Sequence, residues 1–259
     1  MATDTAAARY PDGRPAAVLF DLDGTLVDTN YLHVVTWWQA LRQHGHEVSM
    51  ARIHRAVGIG GDRILDHLLG PARDHGADEE LRTAHRVLYA SWYASMPLLD
   101  GARDLLRAVA ARGSRIVLAS SAGAEEVAAI RAALNADDLI DAVTSAADVD
   151  ATKPAPDLLH LALERAGARP GEAVFVGDTV WDVRAAARAG VPCVGLLSGG
   201  VSRAELMAAG PVTVYEDPAA LLRAIDSGPL GGATPATGSR SGEAVHRADG
   251  GAHPVYGGR

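Results

Sequence analysis

The 259-residue sequence predicts an α/β fold, a parallel sheet covered by helices on both faces with a helical insertion after the first strand. Three observations predict it. Short apolar runs alternate with amphipathic stretches of helical period, the pattern of a buried parallel sheet. One interval, 30–96, breaks the alternation and carries only helical patterns. Polar and acidic residues recur where the apolar runs end, the edge at which open α/β sheets do their chemistry.

In chain order, strands are expected at 17–20, 115–119, 141–144, 173–176, 192–196 and 212–215. Helical patterns fall between them at 101–112, 124–134, 155–167, 179–189 and 218–226. The insertion holds four more, at 31–44, 49–57, 62–69 and 78–94. The domain reading is therefore a core made of 16–29 and 97–226, a helical cap at 30–96, and two loose ends. Residues 1–15 and 227–259 form those ends; the latter hold nine of the 28 glycines and lack an apolar period, so they are expected to be disordered.

Composition excludes several classes. With 48% hydrophobic residues the core has ample apolar material, and a net charge of −8 weighs against nucleic acid or an anionic membrane as partner. No stretch of eighteen residues is free of charge, and the N-terminus has no apolar signal-like run. The single cysteine, Cys193, sits in the apolar run VPCVGLL and reads as a buried structural thiol. A reducing cytoplasm is the expected compartment.

At the strand ends the residues are Asp21-Leu22-Asp23-Gly24-Thr25, Ser120-Ser121, Thr152-Lys153-Pro154 and Gly177-Asp178-Thr179, with Asp182 beyond. Asp21 and Asp23 lie on the same side of an extended segment. Gathered with Asp178 and Asp182 they would repel one another unless a hard divalent cation with oxygen ligands, Mg2+ above all, sat among them. Lys153 is the only lysine in the chain, a compact ammonium suited to a phosphoryl oxygen. Singly, each motif reads as well as a turn, a helix cap or a solvated charge. Their convergence on one sheet edge favours chemistry.

The run Phe20 to Thr29, FDLDGTLVDT, resembles the first motif of the haloacid-dehalogenase-like (HAD) phosphohydrolases, with a Rossmann-like core. Ser120 is similar to that family's second motif, Lys153 to its third, and Gly177-Asp178 with Asp182 to its fourth. The insertion lies where the family carries its C1-type cap. The resemblance implies a Mg2+-dependent phosphatase acting on a small phosphorylated metabolite. Asp21 would be the nucleophile and Asp23 the general acid–base. Asp21, the backbone carbonyl of Asp23 and Asp178 would hold the metal, with Asp182 as ligand or support. Ser120, Ser121 and Lys153 would hold the transferring group.

The cap is less legible. Arg63, after Gly58-Ile59-Gly60-Gly61-Asp62, either reaches an anionic substrate group or follows a glycine-rich turn in which Asp62 caps the next helix. His33, twelve residues after Asp21, and Thr29 match positions used by beta-phosphoglucomutases. The cap has no lysine, however, so His33 reads as a substrate-facing or helix-surface residue rather than half of a mutase dyad. His44, His46, His54 and His67 are expected to be solvated, and Trp37, Trp38, Trp92 and Tyr93 to pack the cap, with an aromatic wall over the site as the alternative. Asp23 argues against dehalogenation, and the missing cap lysine against phosphonoacetaldehyde hydrolysis. A phosphomutase and a catalytically silent binder of phosphometabolites are the competing readings. A monomer or a homodimer is expected.

Overall fold

The computed structural model describes residues 10, 13–210 and 212–231. Its centre is one six-stranded parallel sheet in the order β3-β2-β1-β4-β5-β6. The strands are β1 (Ala17–Phe20), β2 (Arg115–Ala119), β3 (Ala142–Thr144), β4 (Ala173–Gly177), β5 (Cys193–Leu196) and β6 (Val212–Tyr215). All six fall where the apolar runs predict them. Strands buried on both faces are written as continuous apolar runs, which are easy to locate.

Alternate side chains of each strand enter opposite layers. Val18 and Phe20 of β1 join α5 (Ala102–Ala111), α6 (Ala124–Leu134) and α10 (Pro218–Arg223) in one apolar cluster. Ala17 and Leu19 face the other, formed with α7 (Asp157–Ala166), α8 (Val180–Ala189) and α9 (Arg203–Ala209). The alternation does not predict α9. Its local signal is a capping box, in which the Ser202 hydroxyl accepts from the Glu205 amide and the Glu205 carboxylate accepts from the Ser202 amide.

Between β1 and α5 lie only helices: α1 (Asn30–Gln43), α2 (Met50–Ala56), α3 (Ile64–Leu69) and α4 (Asp78–Ala90), then a 3₁₀ turn at Tyr93–Ser95. They share an apolar cluster that includes Trp37, Ile53, Leu65 and Leu81. Trp181, from core helix α8, completes that cluster and donates its indole N–H to the Arg55 carbonyl at 3.0 Å. The cap is therefore tied to the core on this side.

Both expected loose ends are shorter than the sequence suggests. Tyr10 and Pro15 are buried, and Arg14 donates to the Gly113 carbonyl at 2.9 Å. Pro229 and Leu230 are buried in a 3₁₀ turn, because Leu230 fills the apolar layer beneath α10. The rest of both segments lies outside the described residues. Among the described residues no helix is long and apolar enough to cross a membrane.

Candidate active site

The order of the sheet reverses direction between β1 and β4, the switch point where α/β sheets open a crevice. Pairing of Phe20 with Val176 sets the following residues, Asp21 and Gly177-Asp178, side by side at the carboxyl edge. The Asp21 amide continues the ladder to the Val176 carbonyl at 2.9 Å. The chain then folds sharply: Thr25, Leu26 and Val27 amides all donate to the Leu22 carbonyl. Gly24 makes that turn at φ +70°, and a Cβ there would overlap the Asp178 carboxylate. Gly199 approaches Asp178 equally closely from the loop after β5.

Lys153 Nζ sits 2.7 Å from Asp21 Oδ1 and 2.8 Å from Asp182 Oδ1, with both partners buried. Asp182 spends its other oxygen on the N-terminus of α8, accepting from the Thr179 amide at 2.9 Å and hydroxyl at 2.6 Å. Its carboxylate thus fixes the lysine and starts the helix together. Asp178 accepts from Thr25 Oγ1 at 2.9 Å and from Asn30 Nδ2 at 2.7 Å. Asn30 also donates to the Gly199 carbonyl at 3.2 Å.

Asp21, Asp178 and Asp182 bring carboxylate oxygens within 4.8 Å of one another, a spacing that could hold a cation. Three buried carboxylates face one ammonium, which leaves negative charge uncompensated. Burial pushes the Asp21 carboxyl up to about 7, against the pull of Lys153. Burial, then repulsion from Asp182 and Asp21, raises Asp178 well above the carboxylate range. The same two carboxylates raise Lys153 against the effect of its burial, so it stays charged. An all-oxygen donor set with this excess of negative charge fits Mg2+.

Asp21, Asp23, Ser120, Ser121 and Lys153 line one wall of a cavity of about 630 Å³ between core and cap. Ser120 Oγ accepts from the Ala122 amide at 3.1 Å, and its backbone amide holds β3 through the Thr144 carbonyl. Ser121 Oγ is buried without a hydrogen-bond partner, as suits an oxygen or proton awaiting a ligand.

Asp23 groups with His33 and Glu126 rather than with the three clustered carboxylates. Its Oδ1 accepts from Thr29 Oγ1 at 2.5 Å and Tyr89 OH at 3.3 Å, and lies 3.2 Å from His33 Nε2. His33 is also 3.2 Å from Glu126 Oε1 and stacks on Tyr89 at 4.0 Å between centroids. Burial disfavours the imidazolium, but Glu126 and Asp23 overcome it and hold its pKa up at about 10. Burial likewise opposes ionisation of Asp23, and His33 more than offsets it, leaving that carboxyl below its usual range. His85 Nε2, 3.3 Å from His33 Nδ1, is kept neutral by burial and by the neighbouring His33 charge.

Several expectations for the cap need correction. His33 is not on the helix surface: it is buried and lines the cavity, between the Asp23 and Glu126 carboxylates. Thr29 is fully buried, outside the cavity lining, and contacts Asp23 instead of a substrate. Arg63 is exposed and does not line the cavity. Arg82 and Arg86 of cap helix α4 do. Asp62 does not cap α3; its carboxylate accepts from the Thr152 hydroxyl, next to Lys153. His54 is buried, with Nε2 2.8 Å from the Gly199 carbonyl. Trp92 is exposed, whereas Trp37 is buried and stacks on His85 at 4.1 Å. Glu126, His85, Tyr89, Asn30, Arg82 and Arg86 are site residues that sequence spacing does not single out.

A family model for haloacid dehalogenase-like hydrolases matches residues 15–190. The phosphoglycolate phosphatase of Rhodospirillum rubrum is 33% identical over 220 residues, covering 80% of this chain and 89% of that protein. That of Pseudomonas putida is 29% identical over 235 residues, covering 88% and 84%. Among solved structures, a hydrolase from Pseudomonas syringae is similar at TM-score 0.78 and 35% identity, over 82% of this chain and 98% of that one. The four motifs, their placement at one sheet edge and the match over most of the core agree: the chain belongs to the haloacid dehalogenase-like hydrolase family.

Proposed function

We propose that this HAD-like phosphatase hydrolyses a small phosphomonoester in two displacements, with Mg2+ as cofactor and Asp21 as nucleophile. In the first, an Asp21 carboxylate oxygen attacks phosphorus, the bond to the substrate oxygen breaks, and Asp23 protonates the departing alkoxide. In the second, Asp23 takes a proton from water, whose oxygen attacks phosphorus and frees Asp21 with inorganic phosphate. His33 and Thr29 fix one oxygen of Asp23; the proton that Asp23 delivers would be taken up from solvent as the negatively charged substrate binds beside it. Ser120, Ser121 and Lys153 hold the phosphoryl oxygens, whose charge needs placement more than covalent help. Asp21, the Asp23 carbonyl and Asp178 would hold Mg2+, with Asp182 acting through Lys153. The ion supplies charge neutralisation for the phosphoryl group.

One observation carries this reading: Asp21, Asp23, Ser120, Ser121 and Lys153 share one cavity wall, with Asp178 directly behind. The relatives named phosphoglycolate phosphatase support a small phosphorylated acid as substrate. Arg82 and Arg86, cap residues that line the cavity, suit its carboxylate, and a sugar phosphate is the other candidate class. Against a mutase, the cap supplies no lysine, and Glu126 stands beside His33. We assign the enzyme to the cytoplasm, as a monomer or homodimer.

The test is phosphate release from a panel of phosphomonoesters with Mg2+ and then with excess chelator. Metal-dependent release, greatest for a small phosphorylated acid, is the expected result. No release from any monoester, with isomerisation of a sugar phosphate instead, would establish the mutase; binding without either reaction would establish the silent binder.

A further inference from the structure

The side chains of Asp23, His33 and Glu126 meet from three separate parts of the chain. Asp23 follows β1, His33 belongs to cap helix α1, and Glu126 sits in the first turn of core helix α6. His33 Nε2 is 3.2 Å from Asp23 Oδ1 and 3.2 Å from Glu126 Oε1, with all three side chains largely buried. An acidic residue in a first helical turn is ordinarily explained by the helix dipole. Glu126 departs from that use. Both Glu125 and Glu126 line the cavity, but Glu125 is exposed, whereas the Glu126 side chain is largely buried and faces a residue of the opposite domain.

The contact has two consequences. Without His33, Asp23 and Glu126 would be neighbouring carboxylates and would repel each other. With it, seating α1 on the core places the His33 imidazole between them, 3.2 Å from each carboxylate. A further donor to the same Asp23 oxygen accompanies that seating: Tyr89 belongs to cap helix α4 and stacks on His33.

We propose that Glu126 is a positioning residue: from the core it holds cap-borne His33 against Asp23, so that the hydrogen bonds aiming the Asp23 carboxylate are completed only when the cap is seated. Glu126 itself touches no reacting atom. This rests on the phosphatase reading for Asp23, and the test separates the two.

The experiment compares Glu126→Ala and Glu126→Gln with wild type on two substrates, an alkyl phosphomonoester and 4-nitrophenyl phosphate. The alkoxide must be protonated as it leaves, whereas nitrophenolate leaves unaided. Because kcat/KM reports steps through loss of the leaving group, it isolates the proton donation by Asp23. Glu126→Ala should lower kcat/KM for the alkyl ester ~10–100-fold and for the nitrophenyl ester by about threefold or less, the scale expected for a displaced acid group. Glu126→Gln, which keeps the shape and loses the charge, should fall between. Equal losses on both esters, or no loss on either, would overturn the proposal.

A second arm does not depend on turnover. Amide hydrogen exchange in α1 should quicken in Glu126→Ala while the central strands stay protected. Unchanged exchange in α1 would contradict a seating role, and global acceleration would mean a merely structural one. If wild type cleaves neither ester, the phosphatase reading fails by itself, and the exchange arm still decides whether Glu126 seats the cap.

Discussion

Lys153 and Asp21 form an ion pair of 2.7 Å in which the lysine side chain is only 1% exposed and the aspartate 4%. A buried ammonium of this kind is stable because a second carboxylate, Asp182, holds it from the other side at 2.8 Å. The arrangement fixes one Asp21 oxygen and partly neutralises it, and under the proposed mechanism the same lysine would also meet phosphoryl charge.

Removing the ammonium leaves buried carboxylates unpaired. Lys153→Met should therefore destabilise the protein by about 3–5 kcal/mol as well as abolish turnover, a loss read by urea denaturation. Lys153→Arg should not restore activity, since a planar fork cannot occupy the position of a compact ammonium. Full activity in the arginine variant would show that only the charge matters.

Asp23→Asn should slow turnover of an alkyl phosphate by about 10²–10⁴-fold, because the amide can neither donate the proton nor accept one from water. Steady-state rates at saturating substrate check this. A near-normal rate would assign the proton transfers to another group.

Mg2+ and protons should compete at the acidic cluster. Asp21 takes up a proton as pH falls through about 7, so Mg2+ affinity measured by calorimetry should weaken below that pH. Saturating Mg2+ at a hundred times its Kd should stabilise the fold by about 2.7 kcal/mol. Asp178→Asn should remove most of that gain, and a metal-induced rise in Tm that survives the substitution would place the ion elsewhere.

His33 makes stability depend on pH in the opposite range from the usual carboxylates. An unfolded histidine loses its proton near 6.5, whereas folded His33 keeps it up to about 10. The folded state binds the extra proton in this window, so the stabilisation is complete below pH 6.5 and is lost as pH rises toward 10. Denaturation midpoints should fall across that interval in wild type and fall less in His33→Gln. Parallel curves for the two proteins would remove His33 as the source.

The core of the site was legible because its residues sit next to strand ends, where local sequence dictates position. Asp21, Ser120 and Asp178 each follow an apolar run directly, and buried parallel strands leave little freedom in where that run stops. Lys153 was legible for another reason, being the only lysine. The cap partners were not, since Glu126 meets His33 across 93 positions of chain and Tyr89 meets Asp23 across 66. Such contacts depend on how the cap docks, which no local period encodes. Helix α9 was carried only by the Ser202 and Glu205 capping box, because its single buried residue, Leu206, makes no apolar period.

The central claim is that Asp21 carries the phosphoryl group. Rapid acid quench during turnover of labelled substrate, followed by peptide mass analysis, tests it directly. The account predicts a phosphoryl group on the peptide containing Asp21, accumulating in Asp23→Asn when the leaving group is a nitrophenolate that needs no proton, and absent from Asp21→Asn, which should also be inactive. Sustained turnover by Asp21→Asn, or label on any other residue, would contradict it.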